Sequence, residues 1–252
     1  MVHYISNCRL SGDPRRIVHL AIENGKIRAI VSRLPENARI LRDAGKRLVA
    51  PGLIDTHVHG AGGANPTDGK ESSLKTMAQT LCRLGTTAFT ATSFYYPDSD
   101  NGHLEMMGRY RNSPGDAELL GMHLEGPFIN LLKKGGISIN CLANPEEKTL
   151  SDLLLKTHGK LSVMTIAPEL PGNEHVIRRC TGNGIVASFG HSDAGYAEAR
   201  RGFEQGMSLV THLNNAMRKY DRGGDPPYPA ILESDTYVQM ITDGVHLSRE
   251  TV

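Results

Sequence analysis

The chain has 252 residues, long enough for a sizeable core, and its 28 Lys+Arg against 27 Asp+Glu leave a net charge of +1. That balance offers no electrostatic footprint for nucleic acid or an acidic membrane. The apolar runs fall short of a bilayer span, and the start MVHYISNCRL lacks the basic-then-apolar pattern of a secretion signal. The cysteines Cys8, Cys82, Cys141 and Cys180 are scattered with no C-x-x-C pair, which predicts reduced thiols in a cytoplasmic protein.

Residues 1–49 read as short strands and turns, the N-terminal part of a small β-sandwich domain. Within them IVHLAIENGKIRAIVSRL is a hairpin candidate, two β-rich runs joined at Asn24-Gly25, a dipeptide suited to a type I′ turn. From residue 50 onward the texture becomes a repeating beat. Apolar, β-rich runs recur at LVAPGLIDTHVH, TTAFTATSF, AELLGMHLEG, LSVMTIAPE, GIVASFGHS, SLVTHLNNAM and YVQMITDGVHL. Helix-like stretches lie between most of them: SLKTMAQTLCRLG, and HSDAGYAEARRGFEQG with an N-cap expected at Ser192 or Asp193 and a stop at Gly206. Strands alternating with helices predict right-handed βαβ units and a parallel sheet. Seven such strands in residues 50–252 suit a (β/α)₈ TIM-type barrel carrying seven of its eight strands. An open doubly wound sheet is the alternative.

In a barrel, catalytic groups sit at the carboxyl ends of the strands, and polar residues gather at those ends here. GLIDTHVHG places His57 and His59 two residues apart, on one face of an extended chain. GMHLEGPF does the same with His123 and Glu125; later strands end in His191, His212, and Asp243 with His246. A single such histidine is commonly a core residue bonded to a backbone carbonyl. Five strands sharing the habit point to a metal centre. Imidazoles with a carboxylate suit a divalent ion of the Zn, Fe, Mn or Co class, one or two per chain, and hence metal-assisted hydrolysis. A carboxylate would be expected as proton shuttle, and the last residues supply only Asp243 for it.

The stretches APGLIDTHVHGAGG, GMHLEGPFIN with the following KKGG, TIAPE, GHSDA, THLNNAM and TDGVH resemble the amidohydrolase superfamily, and within it the N-acetylglucosamine-6-phosphate deacetylase family. That resemblance implies hydrolysis of the acetamide of N-acetylglucosamine 6-phosphate to glucosamine 6-phosphate and acetate, in a protein that is commonly a homodimer. It implies Glu125, His191 and His212 as principal metal ligands and His57 and His59 as a second metal site. Asn215 and Ala216 match a segment whose backbone holds substrate, and Asp243, Gly244, Val245 and His246 match a substrate-contacting turn. Arg222 is the candidate phosphate partner, because a guanidinium grips phosphate bidentately.

Two departures from the family pattern stand out. After KKG the family usually continues with Ala-His, and that histidine helps hold substrate. Gly136 and Ile137 occupy those positions here, so any contact from them runs through the backbone. The family's catalytic aspartate lies at the end of an eighth strand, beyond the Val252 at which this sequence stops, so no catalytic residue is assigned and the first and seventh strands are expected to have open edges. An incomplete, weakly active or inactive chain is the resulting expectation. Two rivals remain: another N-acyl or cyclic-amide hydrolase of the superfamily, disfavoured by Glu125 where a lysine is typical, and a non-catalytic sugar-phosphate-binding remnant.

Overall fold

A computed structural model describes residues 1–220 and 222–252, which divide into two compact units, Met1–Gly52 and Leu53–Val252. The first unit is one sheet. Its strands are β1 (His3–Leu10), β2 (Asp13–Glu23), β3 (Lys26–Val31), β4 (Ile40–Asp43) and β5 (Leu48–Val49), in the order β3-β2-β1-β4 with β5 also on β1. β2 and β3 form the expected hairpin, with Glu23 opposite Lys26. Asn24 and Gly25 both have positive φ, 52° and 74°, as a two-residue primed turn requires. Alternate residues Cys8, Val18 and Leu20 form its small core.

The second unit holds the seven predicted strands: β6 (Leu53–Val58), β7 (Thr86–Ser93), β8 (Glu118–Glu125), β9 (Leu161–Ile166), β10 (Val186–Phe189), β11 (Leu209–Val210) and β12 (Tyr237–Val238). They pair in parallel and in strict chain order, so that β6 and β12 are the outer strands. Between successive strands run α1 (Glu71–Arg83), α2 (Gly102–Arg109), α3 (Glu147–Lys156), α4 (Asn173–Gly182), α5 (Tyr196–Glu204) and α6 (Tyr228–Glu233). Each connection is thus a strand–helix–strand crossover, and the sheet is the curled, seven-strand part of a TIM-type barrel rather than an open doubly wound sheet.

The burial pattern explains the choice of strand. In β9, LSVMTI is buried at every position except half-buried Ser162, the signature of a strand covered on both faces. The helices bury one stripe each: Leu74, Met77, Ala78 and Leu81 of α1 recur at helical spacing and join Phe89, Met122 and Leu124 in one core. The edge strands read differently. Leu53 and Ile54 of β6 are 65% and 60% exposed, and Tyr237 of β12 is 81% exposed. These apolar residues stand at the open edges that the sequence predicts for the first and last strands of the sheet.

One expected start is displaced. α5 begins at Tyr196, not after Ser192 or Asp193. The Ser192 hydroxyl donates instead to Glu169, while the Asp193 carboxylate pairs with Lys133 and Arg218. The first turn is closed by others: Asp225 accepts from the Tyr196 amide, and the Glu198 side chain accepts from the Gly195 amide.

Candidate metal centre

The carboxyl ends of the strands converge on Glu125, the last residue of β8, which is 4% exposed. Its Oε1 lies 2.9 Å from His191 Nε2 and 2.9 Å from His212 Nε2, and those two nitrogens are 3.1 Å apart. On the other side His59 Nε2 stands 3.2 Å from Oε2 and His57 Nε2 3.6 Å from Oε1, with 3.1 Å between the two imidazoles. Two clusters result, Glu125–His191–His212 and His57–His59–Glu125, sharing one carboxylate.

The backbone at these ends is strained into place. His191 and His212 have φ of 48° and 31°, and Asn214 and Ala216 follow at 73° and 48°. Four non-glycine residues in the left-handed region cost of order 1–3 kcal/mol each, and such positions gather where a site needs its side chains aimed. Gly135, at φ 55°, passes close enough that a Cβ there would stand 3.5 Å from the His191 ring.

The donor set fits a cation. His191 Nδ1–H donates to the Lys133 carbonyl at 2.8 Å and His57 Nδ1–H donates to Gln239 Oε1 at 3.1 Å, a protonation assigned from the acceptors each nitrogen faces. With Nδ1 protonated, a neutral ring turns its Nε2 lone pair towards the carboxylate and the facing imidazole. Lone pairs converging at about 3 Å repel unless a proton or a metal ion lies among them. Burial works to raise the Glu125 carboxyl, but the His191, His212 and His59 imidazoles set against it, through any proton shared among them, outweigh it and hold the group well below the usual carboxylate range. Burial also pushes His57 down, against the pull of Glu125, which favours the neutral, ligating form.

His123 lies on the same face as Glu125 but one layer deeper and outside both clusters. It is fully buried, 3.3 Å from the Thr56 carbonyl and 2.8 Å from Thr165 Oγ1. Burial lowers it well below the ordinary histidine value. Thr165, Thr211 and Ser188 continue this hydroxyl chain at 2.8 and 2.6 Å, a polar floor beneath the metal centre.

Above the ligands opens a cavity of about 1210 Å³. It is lined by all five candidate metal ligands and by Gly136, Ile137, Asn215, Ala216 and His246. Ile137, where a histidine is usual in the resembling family, packs with Ile129 and Cys141 and is buried. Gly136 has open space at its Cβ position. Asp243 closes a turn: Oδ1 accepts from the Val245 and His246 amides, both at 2.8 Å, and Oδ2 accepts from His246 Nδ1 at 2.7 Å. These bonds hold its carboxyl at about 2. Asp243, Gly244, Val245 and Arg222 are exposed and do not line the cavity.

The amidohydrolase family model matches residues 48–252. The chain belongs to the amidohydrolase family. It is 32% identical over 228 residues to N-acetylglucosamine-6-phosphate deacetylase of Vibrio furnissii, covering 89% of this chain and 57% of that protein. It is 32% identical over 259 residues to the human protein of the same name, covering 96% of this chain and 63% of the relative. Among solved structures, the Mycobacterium smegmatis deacetylase in complex with N-acetyl-D-glucosamine-6-phosphate superposes with a TM-score of 0.84 at 28% identity, covering 98% of this chain and 65% of that one. The Pasteurella multocida deacetylase gives 0.84 at 28% identity, covering 98% and 66%. The chain thus spans about three fifths of the length of the curated relatives it matches.

Sequence reasoning on this amidohydrolase missed two side chains. Glu169, in TIAPE, accepts from Asn130 Nδ2, Ser192 Oγ and the Asp193 amide at 2.9, 2.7 and 2.7 Å, binding together the loops on either side of His191. Its signal was a carboxylate placed just after an apolar strand. Gln239 follows β12, and its signal was a lone amide within YVQMI. No helix among the described residues is long and apolar enough to cross a membrane.

Proposed function

We propose that this chain carries the metal centre and acyl-amide pocket of a deacetylase acting on N-acetylglucosamine 6-phosphate, releasing glucosamine 6-phosphate and acetate. The observation that carries this reading is the pair of ligand clusters sharing Glu125 at the floor of one large cavity, in a chain related over most of its length to deacetylases of that sugar phosphate. Glu125, His191 and His212 are the principal ligands; His57 and His59, with Glu125, hold a second ion. A bound divalent ion supplies Lewis acidity for the amide carbonyl and an acidified water.

The chain's own residues orient the substrate. The Asn215–Ala216 backbone and the Gly135–Ile137 segment face the same cavity as the ligands. Arg222 and the Asp243–His246 turn, with Gly244 and Val245, are assigned to the sugar-phosphate end. Ile137 offers the acyl group an apolar wall where an imidazole is usual in the family. A cytoplasmic homodimer belongs to the same reading, as does the division into a β-domain portion at 1–49 and the barrel at 50–252.

One observation favours a second reading, a sugar-phosphate-binding module without turnover. The carboxylates lining the cavity among the described residues are Asp55 and Glu125. Glu125 is committed to the imidazoles, and Asp55 is tied to the backbone of a ligand strand, its Oδ1 accepting from the His57 amide at 3.0 Å.

Acetate release from N-acetylglucosamine 6-phosphate by the purified chain, with metal content and sugar-phosphate affinity measured on the same sample, separates the readings. Turnover abolished by chelation supports the deacetylase within these residues. Metal and sugar-phosphate binding without acetate release supports the binding module. A metal-loaded chain that binds no N-acetylglucosamine 6-phosphate contradicts both.

A further inference from the structure

We infer that Gln239 is a positioning residue that selects the tautomer of His57 and thereby sets the affinity of the His57–His59 cluster for its ion. The inference rests on the two-ion reading above and adds a residue outside both ligand clusters.

Gln239 is gripped from three sides. Its amide donates to the Val210 carbonyl and its carbonyl accepts from the Leu213 amide, both at 2.8 Å, so its backbone is tied to β11 and to the residue after His212. Its side chain spans to the far edge of the sheet, where Nε2 donates to Thr56 Oγ1 at 3.1 Å and more weakly to the Thr56 carbonyl at 3.4 Å. Those two acceptors fix which end of the amide points where, because swapping oxygen and nitrogen would set Oε1 against the Thr56 carbonyl. Oε1 is thereby left facing His57 Nδ1 at 3.1 Å, and only a protonated Nδ1 satisfies it. His57 Nε2 must then carry the lone pair, and Nε2 is the atom that stands 3.1 Å from His59 Nε2 and 3.6 Å from Glu125.

The opposite tautomer would present an N–H to the cluster and block ligation. The His191–His212 cluster has its own orienting contact, the Lys133 carbonyl on His191 Nδ1, so loss of the Gln239 amide acts on one cluster selectively. Partners on the far nitrogen of a ligating histidine typically change metal affinity about 10–100-fold.

The test is a Zn²⁺ titration of the metal-free chain against a competing chromophoric chelator at pH 8. It is run for the parent, Gln239→Leu and Gln239→Glu, with nitrogen-15 spectra of the histidine rings recorded on the metal-free samples. The parent is expected to bind two ions and to show His57 with hydrogen on Nδ1. Gln239→Leu is expected to weaken the weaker step about 10–100-fold, leave the tighter step within about threefold, and shift His57 towards the Nε2–H form. Gln239→Glu keeps the acceptor and is expected to retain both steps.

Equal weakening of both steps, an unchanged weaker step in Gln239→Leu, or hydrogen on Nε2 in the parent would overturn the inference. A parent that binds fewer than two ions contradicts the two-ion reading instead; the ring spectra of that metal-free parent still decide what Gln239 does to His57.

Discussion

Replacing Glu125 with glutamine separates a metal ligand from a structural carboxylate. Glu125 is 4% exposed and its charge is surrounded by four imidazoles at 2.9, 2.9, 3.2 and 3.6 Å. A hydrogen bond to a charged group is worth about 1.5–3 kcal/mol against about 0.5–1.5 for a neutral one. Neutralising it therefore removes about 1 kcal/mol at each of the two shortest contacts, roughly 2 kcal/mol together. Against this, burying a carboxylate costs several kcal/mol that the amide does not incur. The metal-free Glu125→Gln chain should thus be as stable as the parent to within about 2 kcal/mol. Metal binding has no such compensation, because both clusters lose their only anionic donor. A hundredfold weakening of each step, about 2.7 kcal/mol, is the least expected. The assay is a chelator-competition titration beside urea unfolding of the metal-free chains. A variant that binds two ions as the parent does, or whose metal-free form is unfolded, would refute the reasoning.

Other substitutions test the scaffold around the ligands. A Cβ on Gly190 would stand 2.8 Å from Thr211 Cβ and 2.9 Å from Thr165 Cγ2. Gly190→Ala should therefore destabilise the chain by about 1–3 kcal/mol in urea unfolding and weaken the His191 cluster in Zn²⁺ titration; a neutral substitution would mean that the hydroxyl floor yields. Glu169→Ala strands three donors and is expected to cost about 2–4 kcal/mol in the same assay, with a loss below about 1 kcal/mol contradicting the tether. Burial lowers both His103 and His123 below the ordinary histidine value. Their folded forms take up protons at lower pH than the unfolded chain, which does so below about pH 6.5, so stability is lost as pH falls below that value, by at most about 1.4 kcal/mol per pH unit for each. Urea midpoints of the metal-free chain at pH 7.5 and 5.5 check this, and a slope that His103→Asn leaves unchanged would exclude that histidine.

Much of the barrel was legible because its signals are local. An apolar run such as LSVMTI, buried on both faces, declares a parallel strand, and the residues after each run declare the site. His57, His59, Glu125, His191 and His212 all meet, as the polar strand ends imply. His123 shows where that logic stops: two residues along a strand keep the face but change the layer, and depth is set by the neighbours that Thr56 and Thr165 supply. Ser192 and Asp193 look like helix caps by type, yet Glu169, Lys133 and Arg218 claim their side chains from other strands. Gln239 lies 182 residues from the histidine it touches, a proximity that only the curl of the sheet creates. Nothing in the structure explains why Arg222 should be preferred to its exposed basic neighbour Lys219.

The central claim is that two ions share Glu125. Anomalous diffraction from Zn²⁺-loaded crystals of the chain, collected on both sides of the zinc edge, tests it most directly. One peak is expected among Glu125, His191 and His212 and a second among His57, His59 and Glu125. A peak in only one of the two clusters, or zinc bound elsewhere with both clusters empty, would contradict it.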